Sequence, residues 1–478
     1  DFYIDGELFA DLDGLEVNAP APFSKTRDQQ VSFTVTMNVV KDSPHYLLNY
    51  SDVLKAAFTE TGNKWKAGIV IGTGTPTLPK NGIQIASNLE QLSLDNWLSW
   101  VDTQPKTTNS SSDLLSEVEQ LNIAMKVNSL TGFDYEFSNL DAMIVKQSQG
   151  WQVELQSDQA VGNIYIPDNL KSAKKLDVNL DKLTLNLPES TSQNSQSTSL
   201  WPAMKISIAS LNLNDSVLGE FKLDADKTIN KWLIKSATLN SETYTALVSS
   251  AEWTQNQTGE STRIAFQLKS NDLGGVLSQL NYQRAIEAEQ VEVFSELNWN
   301  ASPLDLSREL LNGQLNFSVA KGKLNDVEPG AAGRIFGLMS VAALPRRLSL
   351  DFSDLFAKGF NFDSINSSFQ ISKGIAKTDD FVLVGPSAKV EISGKTDLVE
   401  ELYDQTVKIT PNVSSTLPLA GAVAGGPVGL GVGAAILLVD KISGSLFGKN
   451  IVNLISYKYA LTGAWNDPEF KVLLSTSQ

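Results

Sequence analysis

Residues 31–37 read VSFTVTM, with Val31, Phe33, Val35 and Met37 on one side of the chain and Ser32, Thr34 and Thr36 on the other. A period of two residues belongs to a β-strand with one apolar and one polar face. The same alternation returns at Leu121, Ile123, Met125 and Val127, and at Leu176, Val178 and Leu180. A one-residue phase change then sets Leu183, Leu185 and Leu187. Later runs are Ile206 with Ile208, Leu211 with Leu213, Ile264–Phe266–Leu268, Leu315–Phe317–Val319 and Leu348–Leu350–Phe352. The pattern predicts a mainly β protein whose strands build a long sheet with one continuous apolar side. Another sheet, helices or a ligand must cover that side.

Punctuation supports a modular sheet. Trp65, Trp151 and Trp232 each follow a turn signal and open a strand at intervals of roughly 80 residues, a spacing that suggests repeated modules. A second recurring form is a strand that runs into an acidic residue and a short apolar helix. Its three instances place Asp95, Asp272 and Asp397 as candidate N-caps. The polar stretches 103–113 (TQPKTTNSSSD) and 188–199 (PESTSQNSQSTS) read as exposed loops or inserts. Residues 1–300 are therefore expected to be repeated β modules and residues 301–478 a distinct carboxy-terminal region. Two helical segments fall in that region. One is Glu328 to Leu344, where Ile335, Phe336, Leu338, Met339 and Ala342 recur at helical spacing before Pro345 stops the helix.

The other lies in ITPNVSSTLPLAGAVAGGPVGLGVGAAILLV, residues 409–439, which carries no charged side chain. Pro418 and Pro427 interrupt a single straight helix, so two short pieces are expected within 416–446. Gly421, Gly425, Gly429 and Gly433 recur every fourth residue and permit close helix packing or membrane association. A buried helical hairpin and a membrane-touching segment both fit. In the second case Leu419, Val423, Val428, Leu430, Val432, Ile436, Leu437 and Leu438 are the contacting residues.

Composition bounds function by exclusion. The 478 residues carry a formal net charge of -16 and a pI near 4.7, which argues against nucleic acid as a partner because phosphate binding needs a basic face. Contact with lipid would have to be apolar rather than polybasic. With no cysteine there are no disulfides and no thiolate metal sites. The single histidine, His45, sits in a loop-like KDSPHY context with no acid pair to orient it. Asp11 to Gly14 (DLDG) lacks the later ligands of a calcium loop, and no nucleophile elbow, zinc-helix or phosphate-loop motif occurs. The expectation is a non-enzyme without cofactors or metals. No signal peptide or initiator methionine precedes Asp1, which reads as a mature product or a piece of a longer chain.

From about Gly322 onward the residues resemble a known family. EPGAAGRIFGLMSVAALPRRLSLDFSDLFAKGFNFDSI, residues 328–365, resembles the carboxy-terminal signature of the YhdP family of AsmA-like envelope proteins. Gly385-Pro386-Ser387-Ala388 with the strand Val390 to Gly394, then Tyr403-Asp404-Gln405, the Gly-rich stretch and YALTGAWNDP (459–468) follow in order. Over residues 1–300 the likeness is one of pattern alone. The resemblance implies an elongated, curved antiparallel sheet forming an apolar groove, related to bridge-like lipid transfer proteins, with a few short helices toward the carboxy terminus. It implies a periplasmic conduit that carries phospholipid between inner and outer membranes and supports the outer-membrane barrier. The longer chain would be anchored in the inner membrane by an N-terminal helix, and the carboxy end would meet the inner leaflet of the outer membrane. The residues expected to line the groove are Val31, Phe33, Val35, Leu121, Ile123, Met125, Ile206, Ile208, Ile264, Phe266, Leu315 and Phe317. Arg346 and Arg347 are expected either to meet a phosphate or to cap the preceding helix. A non-transporting envelope protein, its sheets closed on one another, satisfies the same pattern. The two differ in whether the apolar faces fill each other or stay open.

Overall fold

The computed structural model describes residues 3–40, 43–61, 64–104, 120–170, 174–186, 201–214, 216–257, 259–325, 360–412 and 456–473. The protein is mainly β and divides into two compact units, residues 1–228 and 229–478.

The first unit contains β1 (Tyr3–Asp11), β2 (Ser32–Val40), β3 (Ser43–Tyr50), β4 (Leu54–Thr61), β5 (Lys64–Gly72), β6 (Ile83–Ser93) and α1 (Leu94–Thr103). It continues with β7 (Leu121–Gly132), β8 (Tyr135–Gln147), β9 (Gly150–Gln156), β10 (Ala160–Pro167), β11 (Leu176–Leu185), β12 (Met204–Leu213) and β13 (Ser216–Lys227). Each strand pairs with the next in sequence. Most pairs are antiparallel, as expected, but β5–β6, β6–β7 and β11–β12 are parallel. A parallel pair needs a crossover that returns the chain to the same end of the sheet. The β5–β6 crossover lies directly over Gly68, where an added Cβ would stand 2.0 Å from the Thr77 carbonyl oxygen. Gly68 pairs with Ala57 and Gln84, on the polar side of the sheet. The crossover therefore leaves the apolar side clear.

Helix α1 follows β6 at one end of the sheet. Its N-cap is Ser93, whose hydroxyl accepts from the Asn96 N–H, and not Asp95. Asp95 instead accepts the backbone N–H of Phe133 at 3.1 Å, in the β7–β8 turn. The indoles of Trp97 and Trp100 donate to the carbonyls of Ala21 and Asn18, and Phe23 meets Trp97 edge-on at 5.9 Å. The loop between β1 and β2 is thus tied to α1.

The second unit is an antiparallel succession of β14 (Lys231–Asn240), β15 (Tyr244–Asn256), β16 (Gly259–Ser270), α2 (Leu273–Gln279), β17 (Ile286–Trp299), β18 (Asn312–Leu324) and β19 (Phe360–Ser372), then β20 (Ile375–Val384), β21 (Ala388–Asp397), β22 (Leu402–Pro411), β23 (Tyr457–Ala464) and β24 (Asp467–Val472). One line of paired residues crosses eight of its strands: Tyr244, Ser270, Val291, Val319, Ile365, Leu383, Val390 and Ile409. None is more than 7% exposed. This face is a filled core, in which Phe317 contacts Phe369 and Phe381 with ring centroids 6.0 Å apart.

Several local expectations need correction. The helices among the described residues are α1 and α2, one in each unit, rather than a carboxy-terminal group; segments 328–344 and 416–446 lie outside the described residues. Asp272 caps α2 as expected, accepting the Gly275 N–H at 2.8 Å. Asp397 caps no helix: it ends β21 and accepts the N–H groups of Val399 and Glu400 in the turn to β22. His45 lies within β3, paired with Asn38 and Thr59, because Tyr46 and Leu48 continue the alternation past Pro44. Trp65, Trp151 and Trp232 do sit at the starts of β5, β9 and β14.

Candidate functional site

Directly paired residues in a sheet share one face, so the register alone traces the apolar surface of the first unit. From β1 to β13 one line reads Leu8, Val35, Leu48, Ala56, Ile69, Ile85, Ile123, Ile144, Val153, Ile164, Val178, Ile206 and Leu223. Every position is aliphatic. One residue along each strand, the opposite face reads Thr36, Leu47, Ala57, Gly68, Gln84, Asn122, Val145, Gln152, Tyr165, Asp177, Lys205 and Asp224. Ala56 is buried and Leu8, on the edge strand, is exposed; every other member of the aliphatic line is half-buried. Contrast this with the second unit, where the corresponding line is sealed. Along this line the apolar face of the first unit is open, although Leu180 and Ile208 beside it are buried.

A parallel line two residues away carries Phe33, Tyr50, Leu54, Ile71, Ser87, Met125, Ala142, Leu155, Gly162, Leu180, Ile208 and Phe221. Ser87 interrupts it, its Oγ buried without a hydrogen-bond partner among the described residues. Gly162 sits at a bulge opposite Leu180.

The two ends of the strands differ in chemistry. At the end where β7 turns into β8, Val127, Leu130, Leu140 and Ala142 form a buried cluster against which Leu89, Leu92, Phe137 and Leu94 of α1 pack. At the opposite end the same face bears aromatic and basic groups. Trp65, 51% exposed, lies 6.0 Å from Phe58 and 6.4 Å from Tyr46, centroid to centroid. Lys146 holds its ammonium 5.5 Å from the Trp151 ring centroid and 3.1 Å from the Asp168 carboxylate. On the opposite face at this end, Lys175 is bound by Asp224 and Asp226. Burial pushes its ammonium pKa down, but the two carboxylates outweigh that and hold it above the usual lysine value.

The residues expected to line a groove are divided between the two units. Val35, Ile123 and Ile206 share the first line, and Phe33, Met125 and Ile208 the second; Leu121 lies on the same face at the aromatic end, and Val31 just precedes β2. Ile264, Phe266, Leu315 and Phe317 belong to the second unit, where the first three are half-buried and Phe317 is part of the filled core. Arg346, Arg347 and the eight residues from Leu419 to Leu438 lie outside the described residues. Leu48, Ile69, Ile85, Ile144, Val153 and Ile164, which share the first line, were not anticipated on it. Their signal was present as alternation, but the partner strand of each is a matter of register. Among the described residues no helix is long and apolar enough to cross a membrane.

Comparison with known proteins adds a relative and a family. The intermembrane phospholipid transporter YhdP of Escherichia coli (strain K12) is 30% identical over 254 residues, which is 53% of this chain and 20% of that protein. The chain thus matches about a fifth of that relative's length. The model of the YhdP protein family matches residues 2–470, running from the first strand into the last, and the chain belongs to the YhdP protein family.

Proposed function

We propose that this chain is part of a phospholipid conduit of the cell envelope, in which acyl chains lie on the open apolar face of the first unit. The observation that carries the reading is the unbroken aliphatic line from Leu8 to Leu223. Apolar burial contributes roughly 25 cal/mol per Å² without any specific site, so a uniform surface lets a chain slide with little change in free energy. Such a surface needs no nucleophile and no acid–base pair. The parent protein would carry the inner-membrane anchor, and the lipid would pass toward the outer membrane, in keeping with the name of the E. coli relative.

The filled core of the second unit favours a supporting role for that part of the chain. A wholly structural protein would extend the same logic to both units, leaving the open face of the first for a protein partner.

Photo-crosslinking residues placed at Val35, Ile123 and Ile206, and at their polar neighbours Thr36, Asn122 and Lys205, test the reading in cells. Phospholipid adducts at the first three and not at the second three are expected. Protein adducts at the first three, with no lipid extracted from the purified chain, would replace the conduit with the structural role.

A further inference from the structure

The lysine- and tryptophan-bearing end of the first unit carries features that a uniform acyl track does not need. We propose that it is a headgroup rim: the phosphate of an anionic glycerophospholipid sits beside Lys146 and Trp151, which pair across β8 and β9, and the acyl chains point across the sheet toward α1. The proposal rests on the conduit reading and adds an orientation to it.

Three observations converge. Lys146 and Trp151 are paired and alternate with Ile144 and Val153, so they stand on the apolar face at its margin. A lysine stem on apolar surface with its ammonium at the edge, beside an indole, suits the boundary between acyl chains and polar headgroups. Second, the opposite margin is closed by the buried cluster of Val127, Leu130 and Leu140 with Leu94 of α1, which offers an apolar terminus and no charge. Third, charge is divided along the strand direction. Lys146 stands on the apolar face at the first end, answered by Asp168, while Glu60 of β4 pairs with Trp65 farther along that margin. At the other end Asp52, Asp95, Asp134, Glu136 and Asp158 outnumber Lys55 and Lys182. A phosphate is attracted to the first margin and repelled by the second. Asp168 and the Gln147 carbonyl take two of the three donors of the Lys146 ammonium, which leaves one for a phosphate oxygen.

The test uses the full chain with vesicles of phosphatidylglycerol and phosphatidylethanolamine. A trace phospholipid carries a diazirine either beside the headgroup or at the acyl terminus, and adducts are mapped by residue. The headgroup probe is expected at Lys146 and Trp151 and the terminal probe at Val127 and Leu140. Equal or reversed labelling, with adducts still present at Ile123 and Ile206, overturns the orientation and leaves the conduit standing. Absence of adducts along the whole face removes the conduit itself. Lys146→Glu provides a second readout: retained phosphatidylglycerol should fall roughly threefold relative to phosphatidylethanolamine. An unchanged ratio overturns the rim.

Discussion

The carboxylate of Asp380 accepts the backbone N–H of Ser368 at 2.8 Å, at the place where the ladder between β19 and β20 lapses from Asn366 to Gln370. The hydroxyls of Ser368 and Thr378 donate to the same carboxylate at 2.5 and 3.1 Å. Burial pushes the acid's pKa up, but these bonds win and hold it below its ordinary value of 3.8. A carboxyl depressed by folding stabilises the fold in full above its unfolded value, and that contribution is lost as the pH falls through the folded one. Asp380→Asn should cost about 1 kcal/mol at neutral pH, kept small by the exposure of the side chain. The difference from the parent should vanish well below pH 3.8. Urea denaturation at both pH values checks this, and an equal loss at both would contradict it.

Filled and open faces predict different mutational costs. Ile365, fully buried between Val319 and Leu383, should lose about 2–5 kcal/mol on truncation to alanine. Ile123 is half-buried, so Ile123→Ala should cost about 1 kcal/mol, since less area leaves contact and no closed cavity forms. Amide exchange in β19 and β7 reports each unit separately. Comparable losses at the two sites would mean that the first unit's apolar face is covered after all.

The alternation at Val31–Met37 reveals the strand and its apolar side because the period of two is a property of one strand alone. The phase slip between Leu180 and Leu183 likewise marks a real irregularity: Asp181 is left out of the ladder, which resumes at Lys182 on both neighbours. Which strands run parallel was not legible, because β5 and β6 have the same alternation in either direction and the crossover is set by backbone passing over Gly68. His45 was misread since Pro44 signals a loop, yet β3 begins at Ser43 and tolerates proline in its second position. Nor did any single strand announce that one unit's face is filled and the other's open. That difference depends on what packs over residues of identical type, such as Ile123 and Ile365.

Gly162 is the residue at which the β10–β11 bulge turns. Its φ of 144° is a conformation that side chains avoid, and a Cβ there would stand 2.3 Å from the Asn179 carbonyl oxygen. Gly162→Ala should cost about 1–3 kcal/mol, more than the usual alanine-for-glycine gain in a strand. Thermal unfolding with amide exchange in β10 and β11 measures it. A stabilised variant would show that the bulge is not held in this conformation.

Ser87 offers the opposite sign. Its hydroxyl lies on the apolar face between Ile71 and Met125, buried and without a hydrogen-bond partner among the described residues. An unsatisfied buried hydroxyl costs about 1–3 kcal/mol, and deleting it leaves only a small void. Ser87→Ala should therefore raise stability by about 1 kcal/mol, whereas Ser87→Val should gain less because it adds volume at a buried position. The alanine variant also tests the surface itself, since a smoother apolar line should retain phospholipid at least as well as the parent. Loss of both stability and lipid in Ser87→Ala would mean that the hydroxyl has a polar partner during function, and that the face is not the uniform track that its aliphatic line describes.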